Sequence, residues 1–150
     1  METAEIVNAL NKTLCTYQVF FHKLQSFHWN VVGSDFLDVH DITQDMYEKG
    51  LREIDDIAER IRVFGQNPEV SISAYLRNSI VEETSHEKSA EYMMYEIIGD
   101  IEKLTETMFE VHEKASKNVD VGTIYMCNKM IKDLETYHWK LSAWTSRKFE

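Results

Sequence analysis

Two histidines and two acidic residues have the side chains and the spacing to bind a transition metal. His40, Asp55 and Glu59 lie on one predicted helix, where about 100° per residue places them with Gln44 on one polar stripe. His28, near the end of the preceding helix, can join them. Two imidazoles and two carboxylates suit Fe(II) or Zn and are too rich in nitrogen for Ca or Mg. An iron site with open positions can pass electrons to oxygen or peroxide.

One chain cannot close this site alone. His40 and Asp55 are about 22 Å apart along a helix rising ~1.5 Å per residue, whereas a shared metal needs bonds of about 2 Å. A two-fold axis that packs two copies of the helix antiparallel would bring His40 of one copy to Asp55 and Glu59 of the other. The alternative is an ordinary solvated helix face. Three apolar residues in the same region favour a subunit partner instead: Trp29, Phe36 and Leu51.

Helices must position these residues, and the apolar periodicity predicts where they run. A first helix reaches about Val31, where Gly33 breaks it. Ser34 or Asp35 caps a second helix of about 29 residues, and Gly65 is placed to end it. The candidate ligands therefore lie on two consecutive helices joined by a short turn.

The second half of the chain continues the helical pattern after one long connection. That connection runs from Gln66 to about Ser79 and is expected to hold a short helical turn at Ala74–Arg77. A third helix ends near residues 114–118, and a fourth carries apolar residues over 124–141. With 150 residues, one core can form without metal or disulfides. We predict one all-α domain over residues 1–150, a ferritin-like four-helix bundle with a long crossover between helices 2 and 3.

The composition indicates which kinds of partner the protein can bind and in which cellular compartment it is expected. There are 26 acidic residues against 16 Lys and Arg, a formal charge of −10, which disfavours DNA and anionic membranes and favours cations. Cys15 and Cys127 are expected to be inert, partly buried thiols, as suits a reducing cytosol. The first eight residues do not resemble a signal peptide, and no apolar run approaches the ~20 residues of a membrane span. We therefore expect a cytoplasmic protein.

Two segments and the C-terminal helix resemble one family. The segments are residues 27–33 (FHWNVVG), followed by Phe36 and Leu37, and residues 54–61 (IDDIAERI), followed by Gly65; Glu135, His138 and Trp139 belong to the last helix. The whole resembles the DNA-binding protein from starved cells (Dps), the mini-ferritin family. That family's ligand pattern is a His, a second His twelve residues on, then Asp and Glu at +27 and +31. His28, His40, Asp55 and Glu59 match all four positions.

The resemblance implies a function and an assembly. Members of this family form hollow dodecamers that oxidise Fe(II), preferably with hydrogen peroxide rather than oxygen, and store ferric mineral inside. Their sites lie at two-fold interfaces, which implies that His28 and His40 come from one chain and Asp55 and Glu59 from another. The family also implies that Trp29 is an electron donor near the iron; the alternative is an interface aromatic only. Zn is a possible competitor for the site.

The chain departs from the family pattern at two positions. Gln44 replaces an Asp four residues after the second His. An amide brings no charge, so we expect one firmly bound iron, through His28, Asp55 and Glu59, and a weak second position at Gln44. Asp120 matches an acid of the family's three-fold pore, although Tyr125 replaces the next one. Asp120 is therefore a pore candidate, or alternatively the N-cap of the last helix.

Three alternative hypotheses remain. Glu83 with His86 and Glu135 with His138 form Glu-x-x-His motifs, which build di-iron sites inside ferritin-like bundles. Such a site also needs an acid from each of the first two helices, but their inward lines, Leu10 to Leu24 and Val39 to Phe64, offer only apolar or aromatic groups. We therefore expect each His to be a hydrogen-bonded core residue. Direct DNA binding is disfavoured by the charge, since the C-terminus adds only Arg147 and Lys148. Loss of the charged ligand at Gln44 leaves a structural or metal-sequestering shell as the third hypothesis.

Overall fold

Every regular element among the residues that the structure describes is a helix. A computed structural model describes residues 2–84 and 88–148 of the chain. It contains α1 (Glu2–Asn30), α2 (Phe36–Val63), α3 (Ile72–Asn78), α4 (Ala90–Lys117) and α5 (Val121–Lys148). The predicted all-α class and the four long helices are confirmed, and the short turn expected in the long connection is α3.

The boundaries of α2 follow from glycines in the left-handed region. Gly33 has a φ of +103° and turns the chain after α1. Asp35, rather than Ser34, occupies the N-cap position of α2. Gly65 has a φ of +77°, and its N–H donates to the Arg62 carbonyl at 2.9 Å as α2 closes. The turn between α1 and α2 is therefore short and defined, as the two histidines require.

The long helices form a bundle with an up-down-down-up order. The directions follow from side-chain pairs far apart in sequence: Lys12–Glu110 and Lys23–Asp100 join α1 to α4, and Trp144–Asp38 and Lys49–Asp133 join α2 to α5. In each pair of helices, residue numbers rise on one helix as they fall on the other, so α1 is antiparallel to α4, and α2 to α5. Because α1 is also antiparallel to α2, helices α2 and α4 run in the same direction. The connection between α2 and α4 must then return along the length of the bundle.

Residues 64–84 make that return along α1. The side chain of Asn11 accepts a hydrogen bond from the Glu69 N–H at 2.9 Å. One turn or more further along α1, the Thr16 hydroxyl accepts from the Ile80 N–H at 3.3 Å. The helix α3, between these points, also packs on α1. The predicted crossover between the second and third long helices is thus confirmed.

Charged residues enter the core on the two inward lines that were expected to be wholly apolar. Lys23 is buried, and its ammonium lies 2.6 Å from Asp100 Oδ2 and 3.2 Å from Glu96 Oε1, so two carboxylates compensate one buried cation. Glu53 is only 8% exposed, and burial raises its pKa to about 7. The expectation was wrong at these positions because a helical wheel cannot reveal a partner on another helix.

Both cysteines are fully buried rather than partly so. Cys15 and Cys127 are free thiols at 0% exposure. Burial raises the pKa of both, that of Cys127 to about 12, so the reactive thiolate form is suppressed. This agrees with the expected inert thiols. Among the described helices, none is long and apolar enough to span a membrane.

Candidate metal centre

The two candidate histidines are joined by reciprocal hydrogen bonds across the turn between α1 and α2. His28 Nδ1 donates to the His40 carbonyl at 2.7 Å, and His40 Nδ1 donates to the His28 carbonyl at 2.9 Å. The His28 carbonyl belongs to the last turn of α1, where helical carbonyls otherwise lack partners. Each imidazole therefore holds the other helix in place, and the hydrogen bonds also orient both rings.

The hydrogen bonds leave the second nitrogen of each ring available. When Nδ1 carries the proton, a neutral imidazole presents the lone pair of Nε2. Histidines that bind metals commonly donate their other N–H to a backbone carbonyl in this way. His28 and His40 are thus held in the form and orientation that a metal ligand requires.

Aromatic rings flank the imidazole pair on both sides. The His28 and His40 rings stack with centroids 3.7 Å apart and planes inclined by 20°. Phe36 stacks on the other side of His40 at 4.7 Å, and the Tyr47 ring makes an edge contact with His28 at 5.3 Å. Tyr47 was not among the site residues predicted from the sequence. It follows His40 by seven residues, which returns it to nearly the same helix face.

The two candidate carboxylates form a second group on the same helix. Asp55 and Glu59 are exposed and lie one turn apart on α2. The charge of Asp55, together with a hydrogen bond between the two groups, raises the pKa of Glu59. Two carboxylates this close repel each other when both are ionised, and a bound cation relieves that repulsion.

The four candidate ligands form two separate half-sites within one chain. His28 lies against His40, and Asp55 lies against Glu59. Among residues 2–84 and 88–148, no three His, Cys, Asp or Glu side chains come close enough together to hold a metal ion. Gln44 is exposed between the half-sites, and its amide donates to Glu48 at 3.0 Å. A complete site from these residues requires a second chain.

The apolar residues near the half-sites are exposed in the single chain. Trp29 and Leu51 are 63% and 57% exposed, and Phe36 is at 36%. Leu37, which sequence inspection did not single out as an outward-facing residue, is 69% exposed. Large apolar side chains clustered beside candidate ligands are typical of a surface that another subunit covers.

Asp120 accepts hydrogen bonds at the start of α5. Its Oδ1 accepts from Arg60 Nη2 at 2.7 Å and from the Thr123 N–H at 3.2 Å, the geometry of an N-cap. Burial alone would raise the pKa of Asp120, but hydrogen bonds from Thr123 and the charge of Arg60 lower it overall. These contacts support the N-cap interpretation, and the pore role stays a prediction.

The Glu-x-x-His motifs do not meet in the bundle interior among the described residues. Glu135 is exposed, and His138 Nε2 lies 3.3 Å from Glu102 Oε1 beside a groove between α4 and α5. The expectation that His138 is a core histidine was therefore wrong, because its position on α5 lies at the edge of the helix contact. Glu83 is exposed, and His86 lies outside the described residues.

Comparisons with known proteins agree with this fold. A family model described as a ferritin-like domain matches residues 7–148. The DNA protection during starvation protein of Helicobacter pylori is 33% identical over 144 residues, which cover 95% of this chain and 98% of the relative. DNA protection during starvation protein 2 of Bacillus anthracis is 30% identical over 143 residues, covering 95% and 98%.

Solved structures give the same result. Dps from Vibrio cholerae O1, described as a member of a broad superfamily of ferritin-like diiron-carboxylate proteins, has a TM-score of 0.92 at 29% identity, covering 95% of this chain and 90% of that one. Dps from Bacillus brevis has a TM-score of 0.92 at 26% identity, covering 95% and 96%. The fold is that of the ferritin-like proteins. Within that class, the chain belongs to the Dps family. Membership of this family supports a general role for the protein in iron storage and protection against oxidative stress.

Proposed function

We propose that this protein oxidises Fe(II) at sites shared between two copies of the chain and stores the ferric product inside a shell of twelve copies. Hydrogen peroxide is the proposed oxidant, with oxygen as the alternative. The observation that carries the proposal is the clamped pair of His28 and His40, whose Nδ1 atoms are both occupied by backbone carbonyls. Two oriented Nε2 atoms, one on the buried His28 and one on the half-buried His40, beside an exposed and partly apolar surface, are a half-site for a metal.

The second half of the site is proposed to come from another copy. Asp55 and Glu59 of that copy supply two carboxylates, which offset the charge of one Fe(II) while the imidazoles remain neutral. A ligand set with oxygen and nitrogen donors and open positions lets the oxidant approach the iron. Binding of Fe(II) also stabilises the two carboxylates, because the metal relieves the repulsion that raises the pKa of Glu59.

Each site is proposed to bind one iron firmly. His28, Asp55 and Glu59 hold it, while His40 and Gln44 face the weaker second position. The Gln44 amide supplies no charge and donates to Glu48. Peroxide takes up two electrons and two protons to form two waters, whereas one Fe(II) gives one electron. Trp29, by resemblance, is a proposed electron donor, and Asp120 is a proposed pore residue.

Loss of the carboxylate half-site tests the proposal directly. We expect the double variant Asp55→Ala, Glu59→Ala to lower the initial rate of ferric absorbance after mixing with Fe(II) and peroxide at least about 10-fold, since ligand support is worth that much or more. The matched control is Asp56→Ala, Glu113→Ala, which removes the same charge from exposed positions. If Zn competes with Fe(II) for the site, added Zn should slow iron oxidation only in proteins whose site is intact.

A shell without efficient oxidation is the second candidate function. The amide of Gln44 favours it, because an uncharged amide oxygen is a poorer iron ligand than a carboxylate. Equal rates for the wild type and the Asp55, Glu59 variant would establish this alternative. Size measurement of both proteins then shows whether the twelve-copy shell still forms.

A further inference from the structure

We propose that Tyr47 is an electron donor to the iron site, an assignment that rests on the proposed function. Tyr47 lies on α2 and is half-buried. Its ring contacts the ring of His28 edge-on, with centroids 5.3 Å apart and an angle of 72°. His28 is the imidazole proposed to bind the firmly held iron. Electrons from the phenol therefore have a direct route through one ligand ring to the metal.

Packing holds Tyr47 in this position. On a second side, its ring makes an edge contact with Phe21 of α1, with centroids 5.9 Å apart and an angle of 84°. His28 is fixed in turn by its hydrogen bond to the His40 carbonyl. Edge-to-face aromatic contacts of this kind have a defined geometry. The contact between donor and ligand is thus built into the hairpin of α1 and α2.

The reaction needs such a donor because each site is one electron short. One Fe(II) and one Tyr47 phenol together supply the two electrons that reduce one hydrogen peroxide. Iron becomes Fe(III), Tyr47 loses an electron and its phenolic proton to become a neutral tyrosyl radical, and that proton with one from solvent completes two waters. Without the tyrosine, the single electron from iron would leave hydroxide and a free hydroxyl radical.

Tyr47 is better placed than Trp29 for this step within one chain. Trp29 follows His28 directly, so its side chain projects about 100° away around α1 and is 63% exposed. Phe36, which stacks on His40, has no hydroxyl proton to release and is much harder to oxidise. Of the three aromatic residues beside the imidazole pair, Tyr47 combines ring contact with a phenol.

Rapid mixing followed by freezing tests the assignment. Protein carrying one Fe(II) per site is mixed with one equivalent of hydrogen peroxide, and the samples are examined by electron paramagnetic resonance and by hydroxyl radical trapping. Tyr47→Phe keeps the ring and both edge contacts while removing the phenol. The controls are Tyr92→Phe, an exposed tyrosine on α4 beside Lys88, and Trp29→Phe.

We expect a tyrosyl signal in the wild type and in Tyr92→Phe, and its loss in Tyr47→Phe together with more trapped hydroxyl radical. A merely structural role for the ring would leave the signal unchanged in Tyr47→Phe, and that result overturns the assignment while iron oxidation continues. A signal of tryptophan type that is lost only in Trp29→Phe overturns it as well. Failure of the wild type to oxidise iron overturns the proposed function and this assignment together.

Discussion

Gln44 is the residue at which this chain departs from the ligand pattern of the Dps family. Its side chain is exposed, lies between the two half-sites on α2 and donates to Glu48. An amide oxygen can approach a metal, but it cannot offset the second pair of positive charges that another Fe(II) brings. We therefore expect the affinity for a second iron to depend on this one substitution.

Gln44→Asp should create a second tight iron position. A carboxylate beside His40 adds the missing negative charge, so anaerobic titration with Fe(II) should change from one firmly bound iron per site to two. Asn128→Asp, on the exposed surface of α5, adds the same charge elsewhere and should leave the titration unchanged. Two tight irons in the wild type would contradict the expected role of Gln44.

At the scale of helices, a buried carboxyl group lies where α1, α2 and α5 meet. Glu53 of α2 faces the buried Tyr17 hydroxyl of α1, which has no well-formed hydrogen bond, and it is close to Lys49, Asp56 and Asp133. Burial is the largest cause of its raised pKa, and the two aspartates add to it. The bundle therefore contains an acid that titrates near neutral pH.

Glu53→Gln should flatten the pH dependence of stability. Folding raises the pKa of Glu53 from 4.5 to about 7. The folded state thus binds this proton more tightly, and stability falls as pH rises from about 4.5 through 7, by up to about 3 kcal/mol. The variant should melt higher than the wild type at pH 8 and similarly at pH 5.

Thermal unfolding across that pH range is the measurement. The control is Glu106→Gln, which removes a charge from an exposed position on α4 instead of a buried one. Parallel curves for the wild type and Glu53→Gln would mean that Glu53 is already ionised without penalty in the folded protein.

For the whole molecule, charge decides which partners can approach. The chain carries −10, so the proposed shell of twelve copies would carry about −120. Such a surface attracts iron and repels phosphate. The names of the relatives from Helicobacter pylori and Bacillus anthracis refer to DNA protection, which oxidation chemistry can provide without contact.

We expect no direct DNA binding near neutral pH. The purified assembly should leave duplex DNA unshifted in a gel at moderate salt, with a polybasic protein as the positive control. A clear shift that weakens steeply with added salt would demonstrate phosphate contacts and contradict this prediction.

Periodicity and spacing in the sequence predict much of this molecule. Periodicity and turn residues predict the helix boundaries at Gly33 and Gly65, the crossover, and the polar stripe of candidate ligands on α2. They do not predict the reciprocal bonds between His28 and His40, because these depend on how two helices cross. The burial of Lys23 and Glu53 could not be predicted for the same reason, because the residues that they contact are distant in sequence.

The separation of the candidate ligands into two half-sites would give the proposed reaction a fixed order of events. The imidazole pair belongs to one hairpin, whose contacts are local and can form as each chain folds. The carboxylate pair lies too far along α2 to reach it within the same chain. A newly made subunit would then have no complete site, and iron oxidation would begin only once copies have paired and a container for the product is being built.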